Sequence, residues 1–158
     1  MIKRIMGFVA AVAIAVTASS AALARDEANW AKMEAFLSAN KVKQGVTVQP
    51  SGVQWRYIKK GAGKGGKPSA DATVTVRYKG TLIDGTVFDQ TDPNQPPAVF
   101  GLKGLIKGWQ EVIPMMSRGD KVEIVLPSDL AYGKNGSRDG SIKPDQVLVF
   151  EIELLDFL

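Results

Sequence analysis

Leu105-Ile106-Lys107-Gly108-Trp109-Gln110-Glu111-Val112-Ile113 is the only helix-sized apolar segment in a region otherwise patterned for strands. Leu105, Ile106, Trp109, Val112 and Ile113 recur at three- and four-residue spacing, which predicts a helix with one apolar face. Pro114 is expected to close it, because proline lacks a backbone donor and clashes with the preceding turn. A helix of about two turns is not stable alone in water, so a sheet has to wrap it. Trp109 then becomes either the middle of a core or the floor of a pocket, and the function turns on which.

Strand patterns flank this helix on both sides. Upstream, Val53, Trp55 and Tyr57 alternate with polar neighbours and predict a first strand with one buried face. Gly61 to Lys67 reads as a hairpin loop, and Thr73 to Tyr78 alternates cleanly with Val74, Val76 and Tyr78 on one face. Asp84-Gly85 signals a hairpin turn, after which Thr86-Val87-Phe88-Asp89 begins the return strand. Pro93, Pro96 and Pro97 keep the next stretch out of regular strand. Downstream, Lys121 to Leu126 alternates again until Pro127, and a long polar loop runs from Gly133 to Pro144. Gln146 to Leu155 is the last strand, with Leu148, Phe150, Ile152 and Leu154 facing one way. The predicted class is α+β, a curved antiparallel sheet of about five strands wrapped around one short helix, with an N-terminal helical extension.

The N-terminus carries a different pattern. Lys3 and Arg4 precede an uncharged run from Ile5 to Ala18, and Ala22-Leu23-Ala24 stands ahead of Arg25-Asp26-Glu27. That is the layout of a secretory signal peptide, with cleavage expected after Ala24 and a periplasmic destination. The run is shorter than the ~20 apolar residues of a spanning helix, so no membrane span is expected after cleavage. Residues 25–49 then read as a helical extension and linker, and 50–158 as the main domain. Asp26 can cap the extension, and Trp30, Met33 and Leu37 share a stripe. Such a helix either docks on its own domain or pairs with a second copy in a homodimer; the shortness of the stripe favours docking.

Composition removes whole classes of chemistry. The chain has 158 residues with no Cys and no His. Thiol nucleophiles, Ser–His catalysis and the commonest zinc sites are therefore excluded, and no cofactor or metal is expected. The signal segment holds two basic residues and no acid, so its removal lowers the net charge from +4 to +2. No arginine-rich run supports a nucleic-acid partner. Gly61-x-Gly63-x-x-Gly66 formally matches a dinucleotide fingerprint, but such motifs need a helix directly after them, and a strand follows here. Asp89 and Asp92, two carboxylates on a loop, read as solvated rather than as a metal site.

Six aromatic residues stand at strand ends and loops: Tyr78, Phe88, Phe100, Trp109, Tyr132 and Phe150. Simple core filling is the commoner role for each. Set against this, Tyr132 opens a loop and Asp89 directly follows an apolar Phe, the mixture found where an apolar hollow carries a few polar tips.

Five motifs in order resemble the FKBP-type peptidyl-prolyl cis-trans isomerases: Val76-Arg77-Tyr78-Lys79-Gly80, Asp84-Gly85-Thr86-Val87-Phe88-Asp89, Leu105-Ile106-Lys107-Gly108-Trp109, Leu130-Ala131-Tyr132-Gly133 and Leu148-Val149-Phe150-Glu151-Ile152-Glu153-Leu154-Leu155. The resemblance spans about Pro50 to Leu158. It implies a hydrophobic pocket between sheet and helix, with Trp109 as its floor, Tyr78, Phe88 and Phe150 as walls, and Leu105 and Ile106 as rim. It makes Asp89 a buried-edge carboxylate and Tyr132 a hydroxyl donor to a substrate carbonyl. Ile142 becomes the apolar residue of an overhanging loop. Asp89, Tyr132, Trp109 and Phe150 are thus the expected catalytic set, with Tyr78, Phe88, Leu105, Ile106 and Ile142 binding substrate.

Two places depart from the family pattern. No basic residue follows Asp89 between Gln90 and Gln95, and no aromatic stands at Pro97 or Ala98. The implied activity is isomerisation of X–Pro bonds in exported, folding polypeptides, which are the expected partners together with macrolide inhibitors. The alternative is a non-catalytic chaperone or partner-binding module on the same fold. The chemistry suits the composition, because rotation about an amide needs no nucleophile, proton relay or metal.

Overall fold

The computed structural model describes residues 26–158; the predicted signal segment and its cleavage point lie outside them. The chain runs α1 (Glu27–Asn40), β1 (Thr47–Val48), β2 (Gln54–Lys59), β3 (Thr73–Leu82), β4 (Val87–Gln90), β5 (Ala98–Gly101), α2 (Lys107–Val112), β6 (Lys121–Leu126) and β7 (Leu148–Phe157). One sheet holds all seven strands, rather than about five. Its order is β1-β2-β6-β7-β3-β4, and β5 pairs with the first half of β3. Every pairing is antiparallel. The α+β class holds, and the two extra strands are the short β1 and β5, too brief for alternation to reveal.

The alternating stretches fold as their patterns require. Val74 and Val76 of β3, Val122, Ile124 and Leu126 of β6, and Leu148, Ile152 and Leu154 of β7 are buried on one face. Trp109, Val112 and Ile113 pack into the same cluster. The contact between α2 and the sheet is close at Gly108, where a Cβ would collide with the Leu126 side chain.

The central segment differs in detail. Leu105 and Ile106 precede α2 in extended conformation, with Ile106 at the N-cap, and the chain continues past Val112 into a 3-10 turn that contains Pro114. Proline is tolerated there because it occupies the first turn of a new helical piece, where its missing N–H has no partner to lose.

Gly61 to Lys67 is not a hairpin loop. Strands β2 and β3 do not pair; β6 and β7 lie between them, so this stretch crosses over. It is held by the buried Asp120, whose carboxylate accepts from the Gly61 amide at 2.7 Å and from the Ser117 amide at 2.8 Å. The first strand also departs from one-faced burial. Val53 precedes it, Gln54 is buried, and Tyr57 is exposed.

Gln54 is buried because α1 covers that side. Asp26 caps α1, accepting from the Asn29 amide at 3.0 Å. Met33 packs with Val125 and Val147 on the opposite face of the sheet from α2, and Phe36, Leu37, Ile83 and Val149 flank them. At the helix end the buried Asn40 donates to Gln54 at 2.9 Å, and Gln54 donates to the Leu37 carbonyl at 3.0 Å. Within one chain, α1 is thus packed on the outer face of the sheet.

Candidate functional site

On the α2 side of the sheet lies a hollow of about 250 Å³. Its floor is Trp109, only 4% exposed. The rings of Tyr78, Phe150 and Phe100 meet it at 5.2, 5.3 and 6.2 Å, with interplanar angles of 80°, 86° and 73°. Phe88 stands perpendicular to Phe150 at 5.5 Å. Edge-to-face contacts of this kind are the favoured aromatic geometry. Walls standing on a flat floor leave a slot of apolar surface, so the six aromatics are neither simply core nor simply exposed.

Gly80 makes room for two of the walls. It lies between Asp89 of β4 and Phe150 of β7. A Cβ there would come within 2.6 Å of Phe88 and 2.8 Å of Phe150. The glycine of the Tyr78-Lys79-Gly80 motif therefore permits close ring packing rather than a turn.

Consecutive residues of a regular strand point to opposite faces, yet both Phe88 and Asp89 line the slot. The register between β3 and β4 explains this. Thr81 pairs with Val87 and Gly80 with Asp89, so Phe88 is an extra residue in a bulge. A bulge re-aims side chains, and here it brings an aromatic wall and a carboxylate to the same lip.

Asp89 is exposed, not a buried-edge carboxylate. In place of a basic partner it has Tyr78, whose hydroxyl donates to Asp89 Oδ2 at 2.7 Å. Burial, then this hydrogen bond and the Asp89 charge, push the Tyr78 phenol well above its ordinary pKa. Tyr132, 40% exposed, stands at the same lip. Its phenol is raised by burial first and then by the charges of Asp89 and Asp139. Both hydroxyls consequently stay protonated and able to donate. Asp92 has a local task, accepting from the Asn94 amide at 2.8 Å.

Leu105 and Ile106 line the same slot. Their extended conformation is held from α2 by Gln110, whose side chain donates to the carbonyls of Lys103 at 3.2 Å and Leu105 at 2.6 Å. Ile142 stands apart from the other expected residues. It is buried and belongs to a neighbouring hollow, which shares Phe88, Asp89 and Tyr132 with the slot.

Tyr78, Phe88, Asp89, Leu105, Ile106, Trp109, Tyr132 and Phe150 therefore converge on one cavity. Sequence reasoning counted Phe100 among the six aromatics but gave it no place in the site. It also passed over Gly104, which lines the slot too, and Gln110, which holds the rim. Phe100 alternates with the exposed Val99, but over a four-residue strand that signal is too short to read.

Comparison with known proteins agrees with this geometry. The model of the FKBP-type peptidyl-prolyl cis-trans isomerase family matches residues 64–155. That of the domain amino terminal to FKBP-type peptidyl-prolyl isomerase matches residues 4–56. The chain is 50% identical over 129 residues to the outer membrane protein MIP of Legionella longbeachae, covering 82% of this chain and 54% of that one. It is 44% identical over 127 residues to the peptidyl-prolyl cis-trans isomerase Mip of Coxiella burnetii, covering 80% and 54%. It thus spans about half the length of these relatives. Among solved structures, a peptidyl-prolyl cis-trans isomerase of Pseudomonas syringae superposes with TM-score 0.76 and 39% identity, over 85% of this chain and 97% of that one. FkpA of Escherichia coli gives TM-score 0.76 and 38% identity, over 83% and 60%.

Proposed function

Because the chain belongs to the FKBP-type peptidyl-prolyl cis-trans isomerases, we propose that its aromatic slot accelerates rotation about X–Pro bonds in polypeptides that are still folding. The observation that carries this reading is the Trp109 floor with Tyr78, Phe100 and Phe150 set edge-on around it. A proline ring is apolar and small, and such a slot takes it while shedding its water.

The chemistry follows from the amide. Planar X–Pro is stabilised by resonance, and rotation crosses a barrier of about 18–20 kcal/mol. The twisted form has lost that resonance and is less polar, so an apolar, water-poor site favours it over the hydrated ground state. Tyr132 donates to the carbonyl of the residue before proline and holds it while the ring turns against Trp109. Asp89, oriented by Tyr78, places a carboxylate at the lip of the slot. Leu105 and Ile106 close the other side.

Several features support an exported protein acting on emerging chains: the signal-like segment up to Ala24, a relative named as an outer membrane protein, and the lack, among the described residues, of any helix able to cross a membrane. Intact-mass measurement of the periplasmic protein tests export, with a mature chain starting at Arg25 expected. A macrolide presenting a proline-like ring would compete for the same slot.

The decisive experiment is cis–trans exchange of short X–Pro peptides by NMR, using the chain from Arg25 beside Asp89→Ala and Phe150→Ala. Catalysis by the parent that falls in both folded variants is expected. Absence of catalysis across varied residues before proline would overturn the isomerase reading and favour a binding module on the same fold.

A further inference from the structure

The floor of the slot and the fastening of its rim come from adjacent residues of α2. Trp109 is the floor. Gln110, the next residue, stands outside the slot lining but reaches back to the segment before the helix, where Gly104, Leu105 and Ile106 line the slot. Its side-chain nitrogen Nε2 donates to the Leu105 carbonyl at 2.6 Å and to the Lys103 carbonyl at 3.2 Å. Its backbone amide donates to the Ile106 carbonyl at 3.2 Å.

Little else fixes that segment. Leu105 is extended, at φ -90° and ψ 168°, and Ile106 follows at φ -60° and ψ 151°. Neither lies in the helix, and Ile106 offers α2 no side-chain cap. One backbone bond, from the Leu105 amide to the Leu102 carbonyl at 3.2 Å, closes the preceding 3-10 turn. No backbone amide among the described residues donates to the Lys103 or Leu105 carbonyl. The Lys103–Asp71 pair, 3.8 Å apart and exposed on both sides, adds little.

The residue type suits the task. A primary amide nitrogen carries two hydrogens, and here two carbonyls meet it. Because both partners only accept, the nitrogen end of the Gln110 amide must face them, and a carboxylate in its place could not serve either one.

We propose that Gln110 is a positioning residue for the isomerase: it sets the distance of Leu105 and Ile106 from the Trp109 floor, and so the fit of the slot around a proline ring. The inference rests on the isomerase reading given above. Misplacing a substrate-positioning group by about 1 Å costs on the order of 100-fold. An apolar rim that loosens but still touches its ligand should cost less, about fivefold in kcat/KM. The rim meets the ring in the planar and the twisted amide alike, so most of the loss falls on binding and little on kcat.

Gln110→Met keeps the length and bulk of the side chain and removes both donors. In NMR exchange measurements on the chain from Arg25, at a temperature where the variant is fully folded, kcat/KM should fall about fivefold, mostly through weaker peptide binding. Gln110→Glu separates donation from bulk. Near neutral pH its carboxylate cannot donate, and it should be at least as poor as the Met variant. On acidification the carboxyl regains one donor, so its kcat/KM relative to the parent at the same pH should climb back toward one. Parent-like kcat/KM in folded Gln110→Met would overturn the inference while leaving the isomerase intact. A Gln110→Glu ratio that ignores pH would do the same.

The unaltered chain supplies a readout that needs no variant to fold. Titrating in a proline-containing peptide should shift the Gln110 side-chain amide signals with the same midpoint as the Trp109 indole signal. A Trp109 signal that moves alone would uncouple Gln110 from the occupied slot and overturn the inference. Catalysis of no peptide by the parent would overturn both readings.

Discussion

The Tyr78 hydroxyl donates to the Asp89 carboxylate at 2.7 Å across the lip of the slot, so β3 orients a charge carried by β4. Tyr78→Phe removes this bond and leaves the ring in place. A net loss of about 0.5–1.5 kcal/mol is expected for a hydrogen bond of this sort, with the lower end favoured by the exposure of Asp89. If the bond also aims Asp89, kcat/KM should fall by up to about tenfold. In a double-mutant cycle with Asp89→Ala, the second change should then matter less than the first. Strict additivity in kcat/KM would show that Tyr78 does not act through Asp89.

Gly80→Ala tests the packing of the walls. The added methyl enters space held by Phe88 and Phe150, and overpacking of this kind destabilises by about 1–3 kcal/mol. Because the displaced rings are the slot itself, isomerase activity should fall further than stability alone explains. Retained activity with a normal melting curve would mean that the walls adjust freely.

Asn40→Ala addresses the anchor of α1. It leaves the Gln54 carbonyl oxygen, buried against the helix, without its donor. The expected loss is about 1–3 kcal/mol in chemical denaturation. Since α1 and the slot lie on opposite faces of the sheet, kcat/KM on a short peptide should change little. A parallel loss of activity would show that the two faces are coupled.

The pH profile follows from the groups present. With no His in the chain and two phenols raised by burial and by carboxylate charge, kcat/KM should be flat between about pH 6 and 9. For Tyr78 the raised folded-state pKa means a contribution to stability that is complete below the ordinary tyrosine pKa. That contribution disappears only as pH rises through the elevated value. Asp139 runs the opposite way: hydrogen bonds from Ser137 and Ser141 depress its pKa, and the stability this adds above the ordinary carboxylate pKa is lost as pH falls toward about 2. A bell-shaped profile near neutrality would contradict the roles given to these residues.

Much of the fold was legible in the alternation of β3, β6 and β7. Val74 and Val76, and Leu148, Phe150, Ile152 and Leu154, face inward as their two-residue period demands. Asp84-Gly85 turns as its chemistry predicts, with Gly85 at φ 87° and the Asp84 side chain accepting from the Thr86 amide. The motif residues at Tyr78, Phe88, Asp89, Trp109, Tyr132 and Phe150 proved to share one cavity. Strand neighbours were another matter. Gly61 to Lys67 read as a hairpin because nothing local distinguishes a loop that rejoins its neighbour from one that crosses two strands.

The sequence by itself determined which side chains of β3, β6 and β7 go inside, because burial there follows a two-residue period and periodicity is local. In β2 it did not, since α1 buries Gln54 and Tyr57 stays exposed. It also narrowed the available chemistry, since a chain without Cys or His has no thiol or imidazole to work with. Only the tertiary structure decided how the remaining groups meet. Placing β6 and β7 between β2 and β3, bulging β4 so that Phe88 and Asp89 share one lip, and releasing Leu105 and Ile106 from α2 to form a rim are all outcomes of pairing between distant segments. Such pairing is settled by register and by packing across the whole sheet, and no stretch of sequence read alone contains it.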